Sequence, residues 1–214
     1  MTAAESALTP PTPDLLETAA LGTRLDGKQI TAALLKAEQQ TKQQRRQFLP
    51  QALLGTWRLR FTAPKKPITR AGQPTSGGFY IPGLAIATLS FSQTSDRLTI
   101  QNQLQVGSIR LRFTGPAKFL PQKNLLAFDF VRLQILAGTL SLLSVPLRGK
   151  TTTAEEFDAA SVGKLPFFTF FAVQEGYIAA RGRGGGLALW AKADLSRESP
   201  RPKDEANPAR AAQK

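Results

Sequence analysis

Hydrophobic and polar positions alternate along the chain after residue 50. In the segment LLGTWRLRFT, Trp57, Leu59 and Phe61 alternate with Arg58 and Arg60. A period of two residues predicts a β-strand with one apolar face. The same alternation, or a short apolar run bounded by polar residues, recurs in LAIATLSFS, LTIQNQLQV, SIRLRFT, NLLAFDFVRLQI, GTLSLLSV, PFFTFFAVQ, YIAARG and LALWAK.

These short strands follow one another at intervals of roughly ten residues, with almost no helical pattern between them. Such a series predicts an antiparallel meander, and closing the meander into a barrel removes its exposed edges. We therefore expect a mainly β fold, an antiparallel barrel of about eight or nine strands. A barrel of this size leaves room for a small apolar ligand.

A helical pattern precedes the strands. Ile30, Leu34 and Leu35 fall on one face of the segment DGKQITAALLKAEQQTKQQRRQFL, with Asp26 as the candidate cap. The later part of this segment is polar all round and is expected on the surface. Both chain ends are rich in Pro and Ala and lack periodicity. We divide the chain into a disordered tail (1–13), a helical segment (14–49), a barrel (50–195) and a second disordered tail (196–214).

The composition limits the chemistry of the protein. The chain contains no cysteine and no histidine, which excludes disulfides, thiolate and imidazole nucleophiles and the usual zinc sites. Glu155, Glu156 and Asp158 lack the spacing of a calcium loop, so a solvated loop is expected there. No charge-free apolar run reaches the roughly 20 residues of a membrane-spanning helix. Most hydrolase and metalloenzyme mechanisms are therefore excluded, and neither a metal nor a cofactor is expected.

The formal net charge of +13 points to an anionic partner, which could be nucleic acid, an acidic membrane or an acidic protein. RNA binding would need repeated RGG units or aromatic residues exposed among the basic ones. The chain has one Gly-rich cluster, in YIAARGRGGGLALW, and strand patterns flank it on both sides. Residues Gly184 to Gly186 are therefore expected to form a hairpin turn with positive φ angles, and no nucleic acid is expected.

Motifs at the two ends of the barrel resemble a known family. Gly55 and Trp57 form a Gly-x-Trp on the first strand, and Arg181 lies on a late strand, as in lipocalin-like (calycin) barrels. With the preceding helical segment and the closing YIAARGRGGGLALWAK, residues 29–192 resemble the plastid lipid-associated proteins, also called fibrillins or plastoglobulins. The resemblance implies that Arg181 packs over Trp57 at the closed end of the barrel. Arg183 then stays free at the hairpin tip to bind a partner.

The resemblance also implies a function and a location. It indicates a non-enzymatic protein that binds hydrophobic molecules such as prenylquinones, carotenoids or fatty acids at thylakoid membranes or lipid droplets. The first 23 residues contain no Lys or Arg, so no Arg-rich transit peptide is visible. A cyanobacterial origin is therefore expected, with the protein peripheral on the cytoplasmic side of the thylakoid membrane.

Seven apolar residues of the predicted strands are candidates for lining a ligand cavity: Leu59, Phe61, Phe113, Phe128, Phe130, Phe168 and Phe170. Asp129 is the one carboxylate in a strongly apolar strand, and it needs an Arg or a hydrogen-bond donor if it faces inward. It is either half of a buried structural pair or the polar contact that orients a ligand. The segment PFFTFF carries aromatic residues on both faces, so the N-terminal helix, a lipid or a protein must cover its outer face.

Eight basic residues are candidates for a membrane or partner-binding face: Arg58, Arg60, Lys65, Lys66, Arg70, Arg110, Arg112 and Arg183. Such a face is either simply solvated or attaches the protein to an anionic surface, where each basic residue contributes roughly 1 kcal/mol. Two functions remain. The protein binds hydrophobic molecules or lipids at a membrane, or it is a scaffold or assembly factor that docks an acidic surface of a photosynthetic complex. A barrel interior that is packed solid would favour the scaffold.

Overall fold

The computed structural model describes residues 14–64, 69–70, 73–74, 77–95, 97–147 and 154–193, and the two predicted disordered tails lie outside this set. The helices are α1 (Leu15–Ala20), α2 (Gly27–Gln43) and α3 (Ala154–Ala159), with 3-10 turns at Pro50–Leu53, Pro121–Lys123 and Val162–Lys164. The strands are β1 (Gly55–Ala63), β2 (Thr69–Arg70), β3 (Gln73–Pro74), β4 (Phe79–Tyr80), β5 (Ala85–Thr94), β6 (Arg97–Val106), β7 (Ile109–Leu120), β8 (Leu125–Phe128), β9 (Arg132–Ala137), β10 (Leu140–Pro146), β11 (Phe167–Val173), β12 (Tyr177–Gly182) and β13 (Leu187–Lys192).

Eight antiparallel strands close into a barrel in the order β7-β6-β5-β1-β13-β12-β11-β8, and β8 returns to pair with β7. Strands β9 and β10 extend the same sheet beyond β7. The predicted lipocalin-like barrel with an N-terminal helical segment is therefore confirmed.

Strand β7 changes partner halfway along its length, which divides the barrel into two halves. Its second half, Ala117–Leu120, pairs with β8, whereas its first half, Ile109–Thr114, pairs with β9. Strand β1 likewise pairs with β5 only over Gly55–Arg58 and then with β4. The ring is consequently closed in one half, which we call the closed half. In the other half, the open half, β5, β6, β7, β9 and β10 form a sheet that diverges from β1.

Gly115 lies at the branch point of β7. A Cβ atom at this position would lie 1.7 Å from the carbonyl oxygen of Asp129, in the segment between β8 and β9. The backbones approach this closely because two hydrogen bonds join them. The N–H of Asp129 donates to the carbonyl of Pro116 at 3.1 Å, and the N–H of Val131 donates to the carbonyl of Thr114 at 3.0 Å. Only glycine fits between them.

The barrel has one apolar core inside and a second one outside, beneath the helices. The inner core includes Leu53, Trp57, Leu89, Phe91, Ile100, Leu126, Phe128, Phe170, Ile178 and Trp190. The outer core packs α1 and α2 against β1, β11, β12 and β13, and includes Leu16, Ile30, Leu34, Phe61, Phe171, Tyr177 and Leu189.

Phe61 does not line the barrel interior, so its prediction as a cavity residue is wrong. The pairing of β1 with β13 shifts register between Leu59 and Phe61. A β-bulge of this kind reverses the alternation of side chains beyond it. Leu59 therefore packs against the inner core, whereas Phe61 is fully buried in the outer core with Ile30 and Leu34.

The aromatic segment of β11 is covered on both faces by the protein itself. Phe168 and Phe170 belong to the inner core, and Phe171 lies in the outer core beneath α2. Phe167 packs against the cluster that contains Phe157 of α3. The expectation that the N-terminal helix covers the outer aromatic residues is thus correct for Phe171, while α3 covers Phe167.

The polar second half of α2 is not simply a surface segment. Thr41 is buried, and its hydroxyl donates to the carbonyl of Phe171 at 2.7 Å. Glu38 is also buried, on the same face of the helix. The candidate cap Asp26 makes no side-chain capping bond, whereas Asp14 accepts a hydrogen bond from the N–H of Leu16 at the start of α1.

Asp14 also accepts a hydrogen bond from the hydroxyl of Tyr177 on β12, which ties the start of α1 to the barrel wall. Burial and this hydrogen bond raise the pKa of Tyr177 above its ordinary value, so the hydroxyl keeps its proton.

Candidate ligand-binding face of the barrel

The closed end of the barrel is formed by Trp57, but its cationic partner is Lys192 and not Arg181. The indole N–H of Trp57 donates to the carbonyl of Leu53 at 2.7 Å, and the ammonium group of Lys192 lies 5.0 Å from the centroid of the indole ring. Gly55 has a φ of 116° and leaves space for Lys192, whose Cε would lie 3.7 Å from a Cβ there. A cation–π contact at such a site contributes about 0.5–1 kcal/mol.

Arg181 faces outward, so the predicted contact with Trp57 is wrong. Ile178 and Ala180 belong to the inner core, and Arg181 follows on the other face of β12. Its guanidinium donates two hydrogen bonds to the Glu38 carboxylate of α2, at 2.9 and 2.5 Å. The side chain also donates to the carbonyl of Gly185 in the hairpin turn. Arg181 thus fixes α2 to the barrel.

The ionisation of this pair follows from its surroundings. Burial opposes the charge on Glu38, but hydrogen bonds from Arg181 and Lys42 hold the pKa of Glu38 below its ordinary value of 4.5. The hydrogen bond to Glu38 raises the pKa of Arg181. Both side chains are therefore charged at neutral pH.

The hairpin that carries Arg183 is present as predicted, but its details differ. Gly185 has a φ of 89°, while Gly184 and Gly186 are not in the left-handed region. The guanidinium of Arg183 donates to the carbonyls of Lys164 at 2.9 Å and Leu165 at 3.2 Å. Arg183 therefore braces the segment before β11 through one guanidinium nitrogen and remains exposed, so its role in binding a partner stays a prediction.

Five aromatic rings form a continuous cluster across the middle of the barrel, which we call the aromatic floor: Phe113, Phe128, Phe130, Phe168 and Trp190. Ring centroids are 5.6 Å apart for Phe113 and Phe130, and 5.0 Å apart for Phe128 and Phe130. Phe168 lies 5.2 Å from Phe128 and 5.6 Å from Trp190. Below the floor, Phe170 packs against Phe91. The structure thus brings most of the predicted cavity residues together, and it packs them against one another in the closed half and at its boundary with the open half.

Above the aromatic floor, the inner face of the open half is apolar and accessible. Directly paired residues point to the same face of an antiparallel sheet, which places Leu104 beside Leu111 and Ile135, and Val106 beside Ile109 and Ala137. Leu104, Val106 and Ile109 are 44, 55 and 46% exposed. On β6 the inward positions from Asn102 to Val106 are even more exposed than the outward Gln residues between them. An apolar surface that folding does not bury is available to a ligand.

Asp129 does not contribute to this accessible surface. It lies in the wall between β8 and β9, and only 3% of its surface is exposed. A side chain buried to this extent offers no contact to a ligand in the open half.

The outer face of the same sheet is polar and basic. One row across five strands runs through Arg58, Thr88, Gln103, Arg112 and Gln134. Arg112 donates two hydrogen bonds of 3.1 Å to the side-chain oxygen, Oε1, of Gln103. Residues 97–128 contain no Asp or Glu, so acidic residues of these strands do not offset the arginines.

The other predicted members of the basic face divide into three groups. Arg110 lies on this face and donates to the carbonyl of Gly138 in the turn between β9 and β10. Arg60 instead donates to the carbonyl of Ala20 at the end of α1, at 3.1 Å, and burial together with Arg58 lowers its pKa. Lys65, Lys66 and the side chain of Arg70 lie outside the described residues.

Three residues of this architecture were not predicted from the sequence: Glu38, Asn102 and Lys192. The spacing of Glu38 from Ile30, Leu34 and Thr41 matches one face of a helix, which could have indicated its burial. Alternation along β6 could have placed Asn102 on the inner face, between Ile100 and Leu104. For Lys192 the only signal was its place at the end of the last strand.

The fold and this face define a class of protein: an antiparallel barrel with one packed half and one open half, the open half being apolar inside and basic outside. No family model and no curated protein sequence matches the chain. Among the described residues, no helix has the length and apolar character to cross a membrane, and no three potential ligand side chains are grouped to hold a metal ion.

Proposed function

We propose that the protein is a non-catalytic binder of hydrophobic small molecules or lipids, which it holds against the inner face of the open half. The accessible apolar surface of β6, β7 and β9 above the aromatic floor supports this proposal. A ligand there removes apolar surface, its own and that of the sheet, from water, which stabilises binding by about 25 cal/mol per Å² buried. The resemblance carried by Gly55, Trp57 and the final hairpin supports prenylquinones, carotenoids or fatty acids as ligands.

A charge placed on the inner face is expected to abolish most of this binding. Leu104→Asp should weaken the binding of the neutral fluorescent probe N-phenyl-1-naphthylamine by at least about tenfold, because a buried carboxylate without a partner is strongly unfavourable. Leu104 is already 44% exposed in the free protein, so the fold should tolerate the change. Fluorescence titration measures the affinity.

Gln105→Asp is the matched control, because it adds the same charge one residue further along β6, on the outer face. Its affinity for the probe should stay close to that of the wild type. Equal losses in the two variants, or none in either, would contradict binding at the inner face.

We further propose that the protein acts at a membrane surface, on the cytoplasmic side of a cyanobacterial thylakoid, and that Arg58, Arg110 and Arg112 attach it to anionic lipid. Net charge and the absence of acidic residues from β6 and β7 support this attachment. Binding to vesicles should rise with their fraction of anionic lipid and fall with salt.

Removing one arginine of this face should reduce vesicle binding measurably. Arg112→Gln is expected to weaken binding to vesicles that contain phosphatidylglycerol by about fivefold, since one basic residue contributes about 1 kcal/mol near an anionic leaflet. Co-sedimentation measures the effect. Arg183→Gln removes the same charge from a guanidinium that braces two carbonyls elsewhere, and it should change binding less. Undiminished binding of the wild type to neutral vesicles at high salt would exclude the electrostatic attachment.

The packed closed half favours a second candidate function. Its interior is filled by aromatic contacts, as expected for a scaffold or assembly factor whose basic face docks an acidic surface of a photosynthetic complex. In that case neither the neutral probe nor lipids extracted from the purified native protein would be found on the open half, and mass spectrometry of the extract decides between the two functions.

A further inference from the structure

One polar residue interrupts the apolar inner face of the open half. Asn102 lies on β6, directly opposite Leu89 of β5 and Phe113 of β7. Leu89 belongs to the inner core and Phe113 to the aromatic floor. Because directly paired residues share a face of the sheet, the Asn102 side chain points into the barrel with them.

The position of Asn102 along the strand is also informative. Ile100, two residues before it, is buried, whereas Asn102 itself is exposed, like Leu104 and Val106 beyond it. Asn102 is therefore the first accessible inner residue above the packed core, next to the aromatic floor. A ligand that enters the open half end first would reach this amide at its deepest point.

The exposed position of Asn102 permits a polar residue but does not require an asparagine. Asn is depleted from strand interiors, and β6 has ten residues. Neither end of the Asn102 amide forms a hydrogen bond to the part of the chain that the structure describes. The amide thus offers one carbonyl acceptor and two N–H donors to a molecule above the floor.

We propose that Asn102 is the specificity-determining contact of the site, and that the ligand is an apolar molecule with a carbonyl or hydroxyl group at one end. This inference rests on the proposed function, because it names the class of ligand for the same face. A pure hydrocarbon would bury the amide without a partner, which is unfavourable, whereas a carbonyl accepts a hydrogen bond from its N–H groups and a hydroxyl bonds to either end.

Two probes that differ by one carbonyl test this proposal: 1-acetylpyrene and 1-ethylpyrene. The wild type should bind the ketone about tenfold more tightly than the hydrocarbon, a difference of about 1.4 kcal/mol. Trp190 belongs to the aromatic floor, so quenching of tryptophan fluorescence reports binding of either probe. Asn102→Leu should bind the hydrocarbon at least as well as the wild type does and should lose the preference for the ketone.

Gln101→Leu is the matched control, because it also replaces an amide side chain with leucine, one residue earlier on the outer face of β6. It should keep the full preference for the ketone. If Asn102→Leu keeps the preference, or if the wild type binds both probes equally, the role of Asn102 is refuted while hydrophobic binding stands. If neither probe binds to any variant, the proposed function itself is refuted, and this inference with it.

Discussion

Replacing Gly115 with alanine is expected to lower the free energy of unfolding by about 3 kcal/mol, the upper range for overpacking of a core. The added Cβ would lie 1.7 Å from the carbonyl oxygen of Asp129, and two backbone segments would have to separate to admit it. Those segments are held together by hydrogen bonds from Asp129 to Pro116 and from Val131 to Thr114. Urea unfolding, monitored by the fluorescence of the buried Trp57 and Trp190, measures the change.

Gly176→Ala is the control for this prediction. Gly176 lies in the turn between β11 and β12, a Cβ there would meet no atom within 4 Å, and its φ is not in the left-handed region. Its substitution should change the stability by less than about 0.5 kcal/mol. A Gly115→Ala variant as stable as Gly176→Ala would show that the branch point of β7 does not need the close approach seen in the structure.

The alternation of apolar and polar residues, together with short apolar runs, was sufficient to predict the barrel, because each strand has one or both faces towards a core. It failed at Phe61, where a β-bulge shifts the pattern by one residue and no residue type in the sequence marks the bulge. The branch of β7 was equally invisible, because partner choice depends on strands that are distant along the chain. Alternation alone therefore predicts which segments are strands, but it predicts the face that each residue occupies only as far as the next bulge.

The sequence predicted the candidate site only in part. Phe113, Phe128, Phe130 and Phe168 are correctly grouped, since large aromatic residues on inward positions must meet in a narrow barrel. The family resemblance placed Arg181 on Trp57, although counting alternate residues from Ile178 places it outside. The accessible half was not predicted, because the sequence does not show that the sheet diverges from β1 above the floor.

The ion pair between Glu38 and Arg181 was beyond local sequence reasoning, because 143 positions separate the two residues. The local sequence pattern indicates only that the end of α2 is polar. It is the topology of the fold that brings β12 beneath this end. The pair is also what makes the burial of that helix end tolerable, since a buried carboxylate needs hydrogen-bond donors. Two charges of opposite sign thus let a polar segment pack against the barrel.

Substituting Glu38 with glutamine is accordingly expected to lower the free energy of unfolding by about 2 kcal/mol at pH 7, because Arg181 then lies beneath α2 without a carboxylate. The Arg181 side chain is 26% exposed, which keeps the loss below that of a fully buried pair. Lys42→Gln is the control: Lys42 also contacts Glu38, but its side chain is 70% exposed. The free energy of unfolding of this variant should fall by no more than about 0.5 kcal/mol.

The pH dependence of this effect has a defined sign. The pKa of Glu38 is lower in the folded protein than the ordinary value of 4.5, so the unfolded chain binds the proton more readily. The stabilisation by the charged carboxylate is therefore fully present above pH 4.5 and is lost as the pH falls through the lower, folded pKa. The difference in stability between the wild type and Glu38→Gln should shrink across that interval in urea unfolding at stepwise lower pH. A difference that stays constant down to the acid-unfolding limit would show that shape, and not charge, holds α2 on the barrel.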